Sequence, residues 1–247
     1  MYITKVWGPP GTGKTTRLLA LLESELRRGV DPGRIAFLTH TKAAAEVAAE
    51  RVQTKFDWFR TLHSACVKRL AIPRESIVDP VDYRAFSQAT GLLILSERAD
   101  GLLEDGAFYR ANNFGPVLRA YDLSRLTGRP LYEVCRDMPT HPSLAPSRRE
   151  AFITEWEAYK KSNGLFDFTD MLQAYIDSDI GSVPCDVFFL DESQDLSELQ
   201  WKVFDKMIAH AKRVYIAGDD DQCHPSGTPI LTSNRGYVPI EALRPND

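Results

Sequence analysis

The sequence predicts an α/β protein built on a doubly wound parallel sheet, with a helical insertion and a short C-terminal β tail. Three observations predict it. Apolar strand runs alternate with amphipathic helices in both flanks of the chain, a glycine-rich loop joins the first strand to the first helix, and the middle shows helical periodicity without comparable strand runs.

Tyr2 to Trp7 is a short apolar-rich strand. The helix after it, Lys14 to Arg28, carries Leu18, Leu19, Leu21, Leu22 and Leu26 at helical spacing until Gly29 ends it. Ile35 to Thr39 reads as a second, buried strand, and an alanine-rich helix follows from Lys42 to about Gln53. Downstream, Asp186 to Leu190 and Arg213 to Ala217 are further apolar strands, separated by a helix near Ser197 to His210. From about Ala71 to Ser162 the patterns are helical, as in Tyr83 to Ala89 and Arg149 to Lys161, with a Pro-rich loop from Met138 to Pro146. These readings give a sheet domain from residues 1–70 and 163–222, a helical insertion from 71–162, and a separate tail from 223–247.

Composition sets outer bounds. With 247 residues and 43% hydrophobic content the chain has enough material for a sizeable core. No apolar run approaches the ~18 residues of a membrane span. The first residues enter a strand without the layout of a signal peptide, so a cytoplasmic protein without membrane partners is expected. Cys66, Cys135, Cys185 and Cys223 show no metal-ligand spacing, so reduced thiols are expected. A net charge of −4 gives no basic footprint for nucleic acid, although single strands can also be held by stacking and local contacts.

Gly8-Pro9-Pro10-Gly11-Thr12-Gly13-Lys14-Thr15 fits GxxxxGK[ST] between a strand and a helix, the context that motif needs. Glycines let backbone amides approach phosphates and the helix N-terminus adds a positive dipole end. Lys14 would reach the β and γ oxygens and Thr15 would offer a hydroxyl to Mg²⁺; Thr16 and Arg17 complete the candidate nucleotide-binding stretch. Arg17 would pack on the base, or else is an ordinary exposed helix arginine. A second acidic site, Asp191-Glu192-Ser193-Gln194-Asp195, follows the apolar run Val187 to Leu190. Acids at the C-terminal end of a buried strand sit where open α/β sheets bind ligands. Asp191 is the candidate Mg²⁺ ligand and Glu192 the candidate base for an attacking water. The plainer alternative is a solvated acidic helix start.

The order GPPGTGKT, Thr39-His40-Thr41-Lys42-Ala43-Ala44-Ala45-Glu46, Thr61-Leu62-His63, Leu165 to Leu172 (LFDFTDML), DESQD and Gly218-Asp219-Asp220-Asp221-Gln222 resembles a UvrD/Rep/PcrA-type superfamily 1 DNA helicase. The resemblance implies a RecA-like ATP-binding domain with a helical subdomain inserted into it, ATP and Mg²⁺ as cofactors, and single-stranded DNA as partner, tracked 3′ to 5′. By position it makes Gln222 the γ-phosphate sensor and makes Thr39, His40, Thr41, Thr61 and His63 DNA-contacting residues. His40 stands where many relatives have Phe, so any stacking there would use imidazole; the plainer alternative is that both histidines are structural. Two features depart from the family pattern. No adenine-reading glutamine precedes the loop, and nothing after Gln222 resembles the second RecA-like domain. That domain's arginine finger is worth roughly 10³- to 10⁵-fold in rate in related systems. Residues 1–247 alone are therefore expected to bind Mg-ATP, hydrolyse it poorly and not unwind DNA.

At Cys223 the motif runs into different sequence. Cys223, then Thr228-Pro229-Ile230-Leu231-Thr232, a turn at Asn234-Arg235-Gly236, and Ile240 to Leu243 resemble the opening block of an intein. A thiol there is suited to attack the Gln222 carbonyl and convert the amide into a thioester. The flanking alternating segments read as a hairpin. Residues 223–247 are too short for a splicing domain, so the expectation is a truncated reading frame or the first piece of a split intein whose remainder, with the second RecA-like domain, lies on another chain. A tail unrelated to splicing is the alternative. Three function classes thus stand: an interrupted helicase, a P-loop NTPase or kinase unrelated to DNA, and a splicing precursor acting in trans.

Overall fold

The computed structural model describes residues 1–39, 56–94, 114–138 and 145–219, and the backbone of 229–232 and 236–239. The expected helix at Lys42–Gln53, together with His40, Thr41, Gln222 and Cys223, lies outside the described residues.

Five strands form one parallel sheet: β1 (Tyr2–Trp7), β2 (Ile35–Thr39), β3 (Trp58–Thr61), β4 (Val187–Leu190) and β5 (Arg213–Gly218). Their order is β1-β5-β4-β2-β3. This is the α/β, RecA-like architecture that the sequence predicts. Every residue of β2 and β4 is buried, as strands covered on both faces must be. Because side chains alternate, Ile35, Phe37, Val187, Phe189, Tyr215 and Ala217 share one face, against Leu18, Leu19 and Leu22 of helix α1 (Lys14–Arg27). Each of those leucines contributes about 1.5–3 kcal/mol by leaving water. The tie between α1 and the sheet is also polar: Tyr215 Oη donates to the buried Glu25 at 2.6 Å, and Arg213 lies 2.8 Å from the same carboxylate.

β3 is the strand that the sequence reading lacks. It has only four residues and two of them are Arg60 and Thr61, too short and too polar for an apolar run to stand out. It pairs with β2 from Ala36↔Trp58 to Thr39↔Thr61, and helix α2 (Leu62–Leu70) follows without a break.

The chain divides into two compact units, one of residues 1–70 and 174–247 and one of residues 71–173. The second unit contains α3 (Pro80–Thr90), α4 (Gly115–Thr127), α5 (Leu131–Asp137) and α6 (Pro146–Asn163). Asp79 begins α3 with a capping box and a proline in the first turn. Its core is aromatic: Phe86 meets Trp156 edge to face at 5.2 Å, and Phe114 stacks on Phe152 at 4.7 Å. Helix α7 (Phe168–Asp177) carries the chain back to the sheet unit. There α8 (Glu198–Met207), started by the Ser197–Gln200 capping box, sends Lys206 Nζ to the carbonyls of Tyr175, Ile176 and Ser178, closing the end of α7.

The tail forms its own two-stranded antiparallel sheet, β6 (Pro229–Thr232) with β7 (Gly236–Pro239). This is the hairpin expected around Asn234-Arg235-Gly236. Among the described residues no helix is long and apolar enough to cross a membrane.

Candidate functional site

All five parallel strands end on one side, and the motif residues are carried there by the register. Leu38 pairs with Leu190, Leu190 with Ile216, and Trp7 with Gly218, so the C-terminal ends of β1, β2, β4 and β5 lie together. Asp191 N–H donates to Leu38 O at 2.9 Å and Gly8 N–H to Gly218 O at 3.4 Å, which pins the acidic segment and the glycine loop to the sheet.

The loop Gly8 to Gly13 has two residues in the left-handed region, Gly11 (φ 77°) and Gly13 (φ 83°), where a side chain would be strained. Gly13 is the N-cap of α1 and offers no side-chain cap, so the first amides of that helix are left to another acceptor. Thr12 Oγ1 donates to Pro9 O at 2.7 Å and stiffens the turn. A cavity of about 330 Å³ is lined by Pro10, Gly11, Gly13, Lys14, Thr15, Thr16 and Glu192. Lys14 is nearly buried and its Nζ donates to the carbonyls of Gly8 at 2.7 Å and Pro9 at 3.1 Å. Arg17 is exposed on α1 and is not among the lining residues.

Thr15 Oγ1 donates to Asp191 Oδ2 at 2.7 Å, joining two residues that are far apart in sequence. Asp191 is 2% exposed. Burial pushes its carboxyl above the ordinary carboxylate range, and the Thr15 hydroxyl pulls partly the other way. A hydroxyl and a poorly solvated carboxylate at the rim of a cavity are the hard oxygen donors that Mg²⁺ takes. Glu192 is a non-glycine residue in the left-handed region (φ 54°, ψ 47°), a strained backbone that turns its side chain out of line with β4 and into the lining of the cavity. Gln194 Nε2 donates to Glu192 Oε2 at 2.7 Å, and Asp219 N–H donates to Gln194 Oε1 at 3.0 Å.

Of the candidate site residues, the cavity thus gathers Pro10, Gly11, Gly13, Lys14, Thr15, Thr16 and Glu192, with Asp191 bonded to Thr15. Thr39 and Thr61 are register partners at the ends of β2 and β3. Thr39 is buried, while half-buried Thr61 accepts the Ser64 N–H at 3.2 Å as the cap of α2, which His63 also joins. Three residues escaped the sequence reading of the site: Gln194, Ser193 and Gly218. Gln194 and Ser193 lie inside the acidic motif and Gly218 opens the next one, but spacing alone gave no partner for any of them. A Cβ at Gly218 would overlap the Trp7 ring and Ser193 Oγ, so only glycine fits between them.

A family model described as the UvrD/REP helicase N-terminal domain matches residues 3–223. A curated relative, a probable DNA helicase II homolog from Mycoplasma genitalium, is 26% identical over 248 aligned positions, covering 89% of this chain and 34% of its own length. The chain therefore spans about a third of that relative.

Proposed function

The chain belongs to the UvrD/REP helicase N-terminal domain family, and from that premise we propose that residues 1–222 are the ATP-binding portion of a superfamily 1 DNA helicase. In this reading residues 1–70 and 163–222 are the RecA-like domain, 71–162 its helical insertion subdomain, and 223–247 the start of an intein. The observation that carries the nucleotide site is the convergence of Lys14, Thr15, Asp191 and Glu192 on one cleft at the C-terminal ends of the strands.

The cleft fits Mg-ATP by its left-handed glycines, its uncapped helix N-terminus and its paired oxygen donors. Gly8, Pro9, Pro10, Gly11, Thr12 and Gly13 would wrap the phosphates, with Thr16 and Arg17 beyond them. Lys14, leaving the loop carbonyls, would neutralise β and γ oxygens. Thr15 and Asp191 would hold Mg²⁺, and Glu192 would orient a water and take its proton. Mg-ATP, when bound, supplies the phosphoanhydride whose cleavage drives movement. Gln222 would report the γ-phosphate to the DNA track formed by Thr39, His40, Thr41, Thr61 and His63. A motor of this kind works on cytoplasmic single-stranded DNA, completed by a second RecA-like domain.

Support for the intein reading is the thiol at Cys223, the hairpin that follows it, and the end of the family match at that same residue. Two experiments test the proposal. ATP hydrolysis by the protein containing both RecA-like domains should rise on adding single-stranded oligonucleotide; a DNA-independent rate would favour a P-loop NTPase or kinase of another kind. Supplying a matched intein piece and thiol should release residues 1–222 as a species detected by mass, and an unchanged mass with Cys223 intact would remove the splicing claim.

A further inference from the structure

The side-chain amide of Gln194 uses both of its ends. Its Nε2 donates to Glu192 Oε2 at 2.7 Å, and its Oε1 accepts the Asp219 N–H at 3.0 Å. The two partners fix the amide orientation, because a carboxylate only accepts and a backbone N–H only donates; a flipped amide would set oxygen against oxygen. The same two segments meet a second time one residue away, where Ser193 fits against Gly218 so closely that no Cβ is tolerated. Glu192 itself holds a strained left-handed backbone, a conformation that persists only where neighbours over-determine it.

We propose that Gln194 is a positioning residue that latches the Glu192 carboxylate to the chain leaving β5, so that a displacement of that chain is transmitted to the base. This rests on the reading of Glu192 as the base of an ATP site. It assigns to the fourth residue of the acidic motif a task different from binding nucleotide: Gln194 is not among the residues lining the cavity, and both of its bonds are to protein. Asp219 is the first residue after β5, and the chain continues from it to Gln222. A displacement of Asp219 lengthens the Asp219–Gln194 bond, rotates the amide, and changes where Glu192 Oε2 points. Two short hydrogen bonds in series suffice as the linkage, and the Ser193–Gly218 contact limits how far the segments slide past each other.

The two ends separate experimentally. Gln194→Ala removes both bonds, whereas Gln194→Glu keeps an acceptor for Asp219 N–H and loses the donor to Glu192. Amide exchange read by NMR on the chain should show Asp219 exchanging roughly threefold to tenfold faster in Gln194→Ala, with Val214 to Ala217 of β5 unchanged as the control for folding, and near wild type in Gln194→Glu. In ATP turnover with single-stranded DNA by the protein containing both RecA-like domains, both variants should lose roughly tenfold to a hundredfold in kcat, the scale expected of a misplaced base, with KM for ATP within about twofold. A residue with a merely structural role would not split kcat from KM in this way. Unchanged Asp219 exchange in a folded Gln194→Ala protein, or wild-type kcat in both variants, would overturn the latch. If wild type neither binds nor turns over ATP, the underlying site reading fails, while the exchange comparison still decides whether Gln194 holds Asp219.

Discussion

Two groups of carboxylates in this molecule look alike in sequence and differ in their surroundings. In the helical unit Glu157, Asp167 and Asp170 bring ligand atoms within 4.8 Å of one another, close enough for a metal ion. Cations of the protein already occupy that space. Lys160, 2% exposed, lies 2.6 Å from both Asp167 and Asp170 and 2.9 Å from Glu157, and Arg125 reaches Asp122, Asp167 and Asp170 at 2.6–2.7 Å. In the sheet unit no cation among the described residues forms an ion pair with Asp191 or Glu192: Lys14 is turned to loop carbonyls, Asp191 is bonded to a hydroxyl, and Glu192 to an amide. The difference teaches that an acidic motif is held as structure where the fold supplies counter-ions at salt-bridge distance, and stays available to a ligand where its described partners beside a cavity are a hydroxyl and an amide.

The contrast is broken most severely by Lys160→Met. It would leave buried carboxylates short of a partner and should destabilise the helical unit by about 3–5 kcal/mol, seen as a lowered denaturation midpoint. A near-neutral result would mean that the network is not what holds those helices. Next in size, Gly218→Ala forces apart Trp7 and Ser193 in the sheet unit and should cost about 1–3 kcal/mol, measured in the same way. A Trp7→Ala background should recover part of that loss.

A smaller, pH-dependent effect sharpens the same comparison. Burial alone would raise the Asp167 carboxyl, but Arg125 and Lys160 outweigh it and hold it below its ordinary value of 3.8. A depressed carboxyl contributes stability above its unfolded pKa and loses it as pH falls through the folded one. Asp167→Asn should therefore cost more at pH 7 than at a pH below the folded carboxyl's own titration, which lies under 3.8. Equal losses at both pH values would remove the charge from the explanation. Smallest is an effect on thiol labelling. Burial pushes Cys66 and Cys185 up to about 12, so native alkylation at pH 8 should leave both unmodified until the protein is denatured. Labelling of Cys66 in the folded protein would contradict this.

Much of this organisation was legible in the sequence because it rests on period and spacing. The runs of β2 and β4 are apolar at every position, so burial on both faces follows directly, and the loop from Gly8 to Thr15 declares both its strand and its helix. β3 was not legible: four residues including Arg60 give no run, and its pairing to β2 is a tertiary fact. The Asp-Phe-Thr-Asp block was legible only as part of a family pattern, since its counter-ions Arg125 and Lys160 come from other helices. The Gln194 bridge was hidden for the same reason, because its partners lie two residues before it and on a different strand's exit.

We propose the carboxylates beside the cavity, and not the neutralised cluster of the helical unit, as the Mg-nucleotide site. Titrating a non-hydrolysable ATP analogue with Mg²⁺ into the wild type, Lys14→Ala and Asp170→Asn tests it directly. The wild type should bind, Lys14→Ala should bind on the order of tenfold to a hundredfold more weakly as charge-assisted hydrogen bonds are lost, and folded Asp170→Asn should keep wild-type affinity. No binding by the wild type, or binding indifferent to Lys14, would contradict it.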